Sequence, residues 1–104
     1  MDTAAILKMT ELLREAARPN KIVLFGSHAR GDADPDSDFD VLVVEKEVAD
    51  RAAEMVRLNR VLSPLRIPVD LLVVSEDEFQ YWCDTPGNVY FEAVTEGKVL
   101  YEAA

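Results

Sequence analysis

Cysteine and histidine are nearly missing from this chain, which has one of each, Cys83 and His28. A lone cysteine excludes an intrachain disulfide, a thiolate zinc cluster and a Cys-x-x-Cys redox pair, so the expected compartment is the cytoplasm. No stretch approaches the roughly 20 apolar residues that span a bilayer, and the N-terminal region, with Asp2 and Glu11 flanking short apolar runs, lacks the signal-peptide pattern. A soluble, unprocessed protein with no membrane partner is expected. Basic charge is scarce as well: 11 Lys and Arg stand against 20 Asp and Glu, a formal net charge of −9. Non-specific grip on a phosphate backbone needs clustered cations, so direct nucleic-acid binding is not expected. The acidic balance suits a basic protein partner and a merely solvated surface about equally. Internal repeats, linkers and low-complexity segments are absent too.

What remains is a chain of 104 residues, enough for one buried core and too short for two, so residues 1–104 are expected to form a single domain. From Thr3 to Ala17 the apolar residues Ile6, Leu7, Met9, Leu12, Leu13 and Ala16 recur at helical spacing until Pro19. Residues 22–25 are a short apolar run stopped by Gly26, as in a buried strand that ends in a turn, and 27–30 read as one helical turn closed by Gly31. The acidic, Pro35-centred stretch 32–38 is loop chemistry, and 39–44 is a second buried strand. A helix over 47–62 would put Ala52, Met55, Val56, Asn59 and Leu62 on one side, with Pro64 and Pro68 at its exit. A third strand follows at 69–74. Ser75 and Glu78 form a capping box that starts a helix to about Trp82, broken by Pro86 and Gly87. A helix at 89–96, stopped by Gly97 in the position that helix C-termini favour, and a strand at 99–101 complete an α/β, two-layer α+β architecture with one sheet.

One constellation stands out: Gly26 and Ser27 are followed, after ten intervening positions, by Asp38 and Asp40. Side chains two apart on a strand share a face, so Asp38 and Asp40 project together while Phe39 turns into the core. Two carboxylates so close repel each other unless a cation intervenes, and oxygen-only donors select a hard ion, Mg²⁺ before Mn²⁺. Asp70 precedes the third strand as Asp40 precedes the second. If the two strands are neighbours their acids converge, and Asp70 serves either as a further ligand, with room for two ions, or as general base to an attacking hydroxyl. Opposite them, Gly26 and Ser27 let backbone N–H groups and a hydroxyl approach phosphate oxygens, and Arg30 lies about one turn on, placed to meet a terminal phosphate. Together these groups would hold a nucleoside triphosphate for in-line attack at phosphorus.

Other features have plainer readings. The aspartates from Asp32 to Asp40 do not make an EF-hand. A loop starting at Asp32 would place Ser37 at the required glycine and Val43 at the closing glutamate; one starting at Asp34 would put Phe39 at the glycine. His28 reads as a solvent-facing side chain and Cys83 as a small buried apolar residue. Arg51, Arg57, Arg60 and Arg66 read as a solvated helix face, and Tyr81, Trp82, Tyr90 and Phe91 as core or interface aromatics.

The segments Gly26-Ser27-His28-Ala29-Arg30-Gly31, Ser37-Asp38-Phe39-Asp40-Val41-Leu42-Val43 and Val69-Asp70-Leu71-Leu72, with the supportive tail Glu96-Gly97-Lys98-Val99-Leu100-Tyr101-Glu102, resemble the minimal nucleotidyltransferase (MNT) domain of the DNA polymerase β superfamily. The resemblance implies a mixed sheet carrying Asp38, Asp40 and Asp70 as Mg²⁺ ligands, with Gly26 and Ser27 on the triphosphate. Stand-alone members of this size are commonly antitoxins that transfer AMP from ATP to a tyrosine of a HEPN-domain ribonuclease toxin. The toxin's own Arg-to-His signature is absent here. Two other readings stay open: an antitoxin that is catalytically idle and acts by binding alone, and a small-molecule (antibiotic) nucleotidyltransferase, although those enzymes generally carry a further helical domain. The acceptor, the nucleobase preference and homo- or hetero-oligomerisation are not legible in these residues.

Overall fold

The computed structural model describes residues 3–103. Its elements follow in the order α1 (Thr3–Ala17), β1 (Lys21–Phe25), α2 (Gly26–Arg30), β2 (Phe39–Glu45), α3 (Arg51–Leu62) with a 3₁₀ turn at Ser63–Leu65, β3 (Val69–Ser75), α4 (Glu76–Trp82), α5 (Val89–Glu96) and β4 (Lys98–Glu102). The strands form one mixed sheet in the order β3-β2-β1-β4. β1 is antiparallel to both of its neighbours, whereas β2 and β3 run parallel through the α3 crossover.

The central strands read as continuous apolar runs because both sheet faces are covered. Ile22, Leu24, Val41, Val43, Leu71 and Val73 pack with Ile6, Met9 and Leu13 of α1 and Leu58 and Leu62 of α3. On the opposite face, Val23, Phe25, Leu42, Val44 and Val74 pack with Phe79 of α4 and Ala93 of α5. Cys83 is half-buried against this smaller cluster.

Local chemistry sets the helix boundaries. α3 starts at Arg51 and not at 47, because Asp50 holds an extended conformation and its carboxylate accepts the Ala53 amide at 3.1 Å. The buried face is set by Leu58 and Leu62, with Met55 half-buried, while Val56, expected on the same side as Met55 and Leu62, is 53 % exposed. Ser75 caps α4 by accepting the Glu78 amide at 3.3 Å, as the capping box predicts. The reciprocal arm goes elsewhere, since the Glu78 carboxylate pairs with Arg51. Asn88 caps α5, its Oδ1 accepting from the Tyr90 and Phe91 amides at 2.9 and 3.0 Å. Gly97 ends α5 for a reason other than the expected one. Its φ of −79° is open to any residue, but a Cβ there would run into the Ala93 and Leu24 carbonyls and the Val23 side chain.

Candidate active site

Three sheet ends meet at one edge of the fold: the C-terminal end of β1 and the N-terminal ends of β2 and β3. Asp40 lies opposite Phe25 in the antiparallel β1–β2 pair and opposite Asp70 in the parallel β2–β3 pair. Asp40 and Asp70 therefore occupy one row of the sheet on the face away from Phe39, which is 6 % exposed in the larger core. Asp38 stands two residues earlier, just outside β2. The Phe39 amide donates to the Pro68 carbonyl at 2.9 Å, which ties the entrances of the two parallel strands together. Asp38 and Asp70 are exposed, and Asp40 between them is half-buried.

Electrostatics make Asp40 the strained member of the group. Burial pushes its carboxyl above the usual range, and the like charges of Asp70, Glu92 and Asp38 push the same way, opposed only by His28. Glu92 was not marked by the sequence reading. It sits on α5, and only the packing of α5 beside α2 brings it here. The available signal was the Glu92/Glu96 pair at i,i+4, two like charges that a cation opposite would relieve.

That cation is Arg30. Its guanidinium lies 3.3 Å from Asp32, 3.4 Å from Glu92 and 3.6 Å from Glu96. The side chain expected to reach toward phosphate is thus turned to α5 and the following loop.

Gly26 touches the acids directly. It opens α2 with a φ of +73°, and a Cβ there would collide with the Asp40 carboxylate. Glycine is required on both counts, backbone conformation and contact. The Ser27 carbonyl closes the turn by accepting from the Gly31 and Asp32 amides at 2.9 and 3.1 Å. Ser27 itself is half-buried, with Gly26 and Asp40 on the same sheet edge.

His28 is not the solvent-facing side chain expected from its isolation in sequence. Its ring stacks on Phe39, with centroids 3.9 Å apart and planes 13° from parallel, and its Nε2 lies 2.9 Å from the Ser37 carbonyl. Beside it opens a cleft of about 470 Å³, bounded by His28, Pro35, Ser37, Phe39, Ile67 and Pro68.

Asp38, Asp40 and Asp70 offer oxygen donors alone, which fits a hard divalent cation in kind, and such an ion would relieve the repulsion around Asp40. As they stand, no three His, Cys, Asp or Glu side chains among the described residues are grouped into a ready cage. Also among the described residues, no helix is long and apolar enough to cross a membrane.

Comparison with known proteins converges on one chemistry. The model of the nucleotidyltransferase domain family matches residues 6–99. A Methanocaldococcus jannaschii protein provisionally named a protein adenylyltransferase is 32 % identical over 84 residues, which cover 81 % of this chain and 80 % of that one. A crystal structure of a toxin–antitoxin with AMP-PNP contains a chain that is 26 % identical, with a TM-score of 0.65 over 99 % of this chain and 75 % of its own. The crystal structure of a provisionally assigned nucleotidyltransferase from Sulfolobus solfataricus is 25 % identical, with a TM-score of 0.64 over 95 % of this chain and 82 % of its own.

Proposed function

The chain belongs to the nucleotidyltransferase domain family, and on that footing we propose that it transfers AMP from ATP to a tyrosine hydroxyl of a partner HEPN-domain toxin, neutralising it in the cytoplasm. The observation that carries this reading is the Asp40–Asp70 row abutting Gly26, which sets a carboxylate group against a tight backbone turn. The provisional name of the M. jannaschii relative supports a protein acceptor. The AMP-PNP in the toxin–antitoxin structure supports both a nucleoside triphosphate and a toxin partner.

In the proposed reaction the Gly26–Ser27 turn binds the triphosphate through backbone N–H groups and the Ser27 hydroxyl. The tyrosine oxygen attacks the α-phosphorus, the bond from that phosphorus to the bridging oxygen of pyrophosphate breaks, and pyrophosphate leaves. Asp70, the more exposed acid of the row, is placed to accept the tyrosine proton as general base, or else to serve as a third metal ligand. Asp38 and Asp40 are the residues that would hold Mg²⁺, in one or two ions, with Asp70 at the margin. When bound, Mg²⁺ supplies positive charge to the phosphate oxygens as negative charge builds on them. Arg30 joins the terminal phosphate by exchanging its carboxylate partners for phosphate oxygens.

One observation favours a second reading, neutralisation by binding alone: Arg30 is held by three carboxylates and not presented to a phosphate. Mass spectrometry of the toxin after incubation with this protein, ATP and Mg²⁺ separates the two. An added mass of one or more AMP groups, lost when Asp38 and Asp40 are both replaced by Asn, supports transfer. A full-strength complex with unmodified toxin would leave neutralisation by binding.

A further inference from the structure

We propose that the cleft beside His28 is the nucleobase subsite, taking the planar ring of ATP as a further layer on the His28–Phe39 stack. The inference rests on the transferase reading and adds to it the place of the base.

Position supports it first. His28 directly follows Ser27 of the phosphate turn, and Ser37 directly precedes Asp38, so the cleft opens where both halves of the phosphate grip end. The ribose hangs from the α-phosphate, which the proposed reaction sets at Asp40, and Phe39 of the stack directly precedes Asp40.

Chemistry supports it next. Phe39 is buried beneath His28, and the two rings lie nearly parallel, 3.9 Å apart. The His28 ring is held in this orientation by its contact with the Ser37 carbonyl. Such a platform is pre-organised, so a base stacking on it orders little that is not already fixed. Pro35, Ile67 and Pro68 supply apolar walls, and about 470 Å³ falls in the range of small-ligand sites.

The alternation of the strand decides between the base and the acceptor tyrosine. Phe39 faces the α1/α3 side of the sheet, whereas Asp40 and Asp70 face the α4/α5 side. An acceptor hydroxyl that reaches Asp70 must come from the α4/α5 side. The cleft lies round the end of β2 from it, so the nucleotide wraps that end with its phosphates at the acids and its base behind.

Calorimetric titration in Mg²⁺, with ATP and inorganic tripolyphosphate as the two probes, tests the assignment on the wild type, H28Y and H28L. The expected result is ATP binding about tenfold weaker in H28L and nearly unchanged in H28Y, which keeps a flat ring, with tripolyphosphate binding the same in all three. Unchanged ATP affinity in H28L would overturn the proposal. So would an equal loss for both probes, which would move His28 onto the phosphates. Should H28L fail to fold, I67T elsewhere on the cleft wall carries the same comparison. A wild type that binds neither probe would sink the transferase reading itself.

Discussion

Asp40 and Asp70 stand opposite one another in the parallel β2–β3 ladder, two like charges placed in one row by the register of the strands. No basic side chain lies among the groups that act on Asp40 apart from His28, the weakest of them. A pair of this kind stands against its own electrostatic preference, a cost that the proposed metal-binding role would account for.

Replacing either acid should therefore separate activity from stability. D40N and D70N should each lower AMP transfer at least about a hundredfold, since in the proposed reaction each serves the reacting phosphate or the hydroxyl that attacks it. In metal-free buffer, D40N should melt at the same temperature as the wild type or higher, because a buried, repelled charge has been removed. A melting temperature several degrees lower would mean that the Asp40 carboxylate holds the fold together.

Gly26 and Gly31 offer a matched pair. Both have positive φ, +73° and +87°, so alanine at either should cost about 1–2 kcal/mol in urea unfolding. A Cβ at Gly31 meets nothing within 4 Å, whereas one at Gly26 strikes the Asp40 carboxylate. G26A should then lose AMP transfer while G31A keeps most of it. Equal activities would break the link between the turn and the acid.

At the far end of β2, Glu45 gives a pH signature. Its Oε2 is shut off from water and has no hydrogen-bond partner. Burial first, and then the neighbouring Glu54, push this carboxyl up to about 8, while Arg57 pulls it down. Arg57 grips Glu54 with two bonds of 2.8 Å and holds it down at about 2. An acid whose folded pKa is raised contributes stability that is full below its ordinary value near 4.5 and is lost as pH rises toward 8. E45Q lacks that loss, so its melting temperature should gain on the wild type between about pH 5 and 8 and level off above. The contribution of Glu54 runs the other way, present above its ordinary range and lost on acidification toward 2. Parallel melting curves for E45Q and wild type across that window would count against the buried carboxyl.

G97A tests a steric requirement without a backbone one. The φ of −79° suits alanine, but its Cβ would press on two carbonyls and on Val23, so a loss of about 1–3 kcal/mol in urea unfolding is expected. An unchanged midpoint would mean that β1 and α5 separate there at little cost.

Much of this was legible in the residues. The strand runs, the Ser75 cap and the break before α5 follow from local chemistry, and every helix and strand except α3 lies within a residue of where its pattern put it. The alignment of Asp40 with Asp70 was readable up to one condition, because each acid precedes a like apolar run, and the structure supplies that condition by making β2 and β3 neighbours. The start of α3 was not legible, because Glu47 and Asp50 both sit before an apolar pattern and only the Asp50 conformation chooses between them. His28 and Glu92 were missed for a different reason. The stack on Phe39 and the approach of α5 to α2 are packing outcomes between separate elements, and the Glu92/Glu96 spacing marks an acidic stripe without saying what lies opposite it.

A parallel ladder also makes the site sensitive to frame. Between Asp40 and Asp70 runs a crossover whose solvent-facing stretches could gain or lose residues and leave the two acids level. One residue inserted between Pro68 and Asp70 is another matter. With the Phe39–Pro68 tie kept and the pairing counted on from it, Asp70 would rotate to the opposite face, toward α1 and α3, and Val69 or the inserted residue would stand beside Asp40. Length variation in relatives of this chain should accordingly collect in the middle of that crossover and stop short of its last rung.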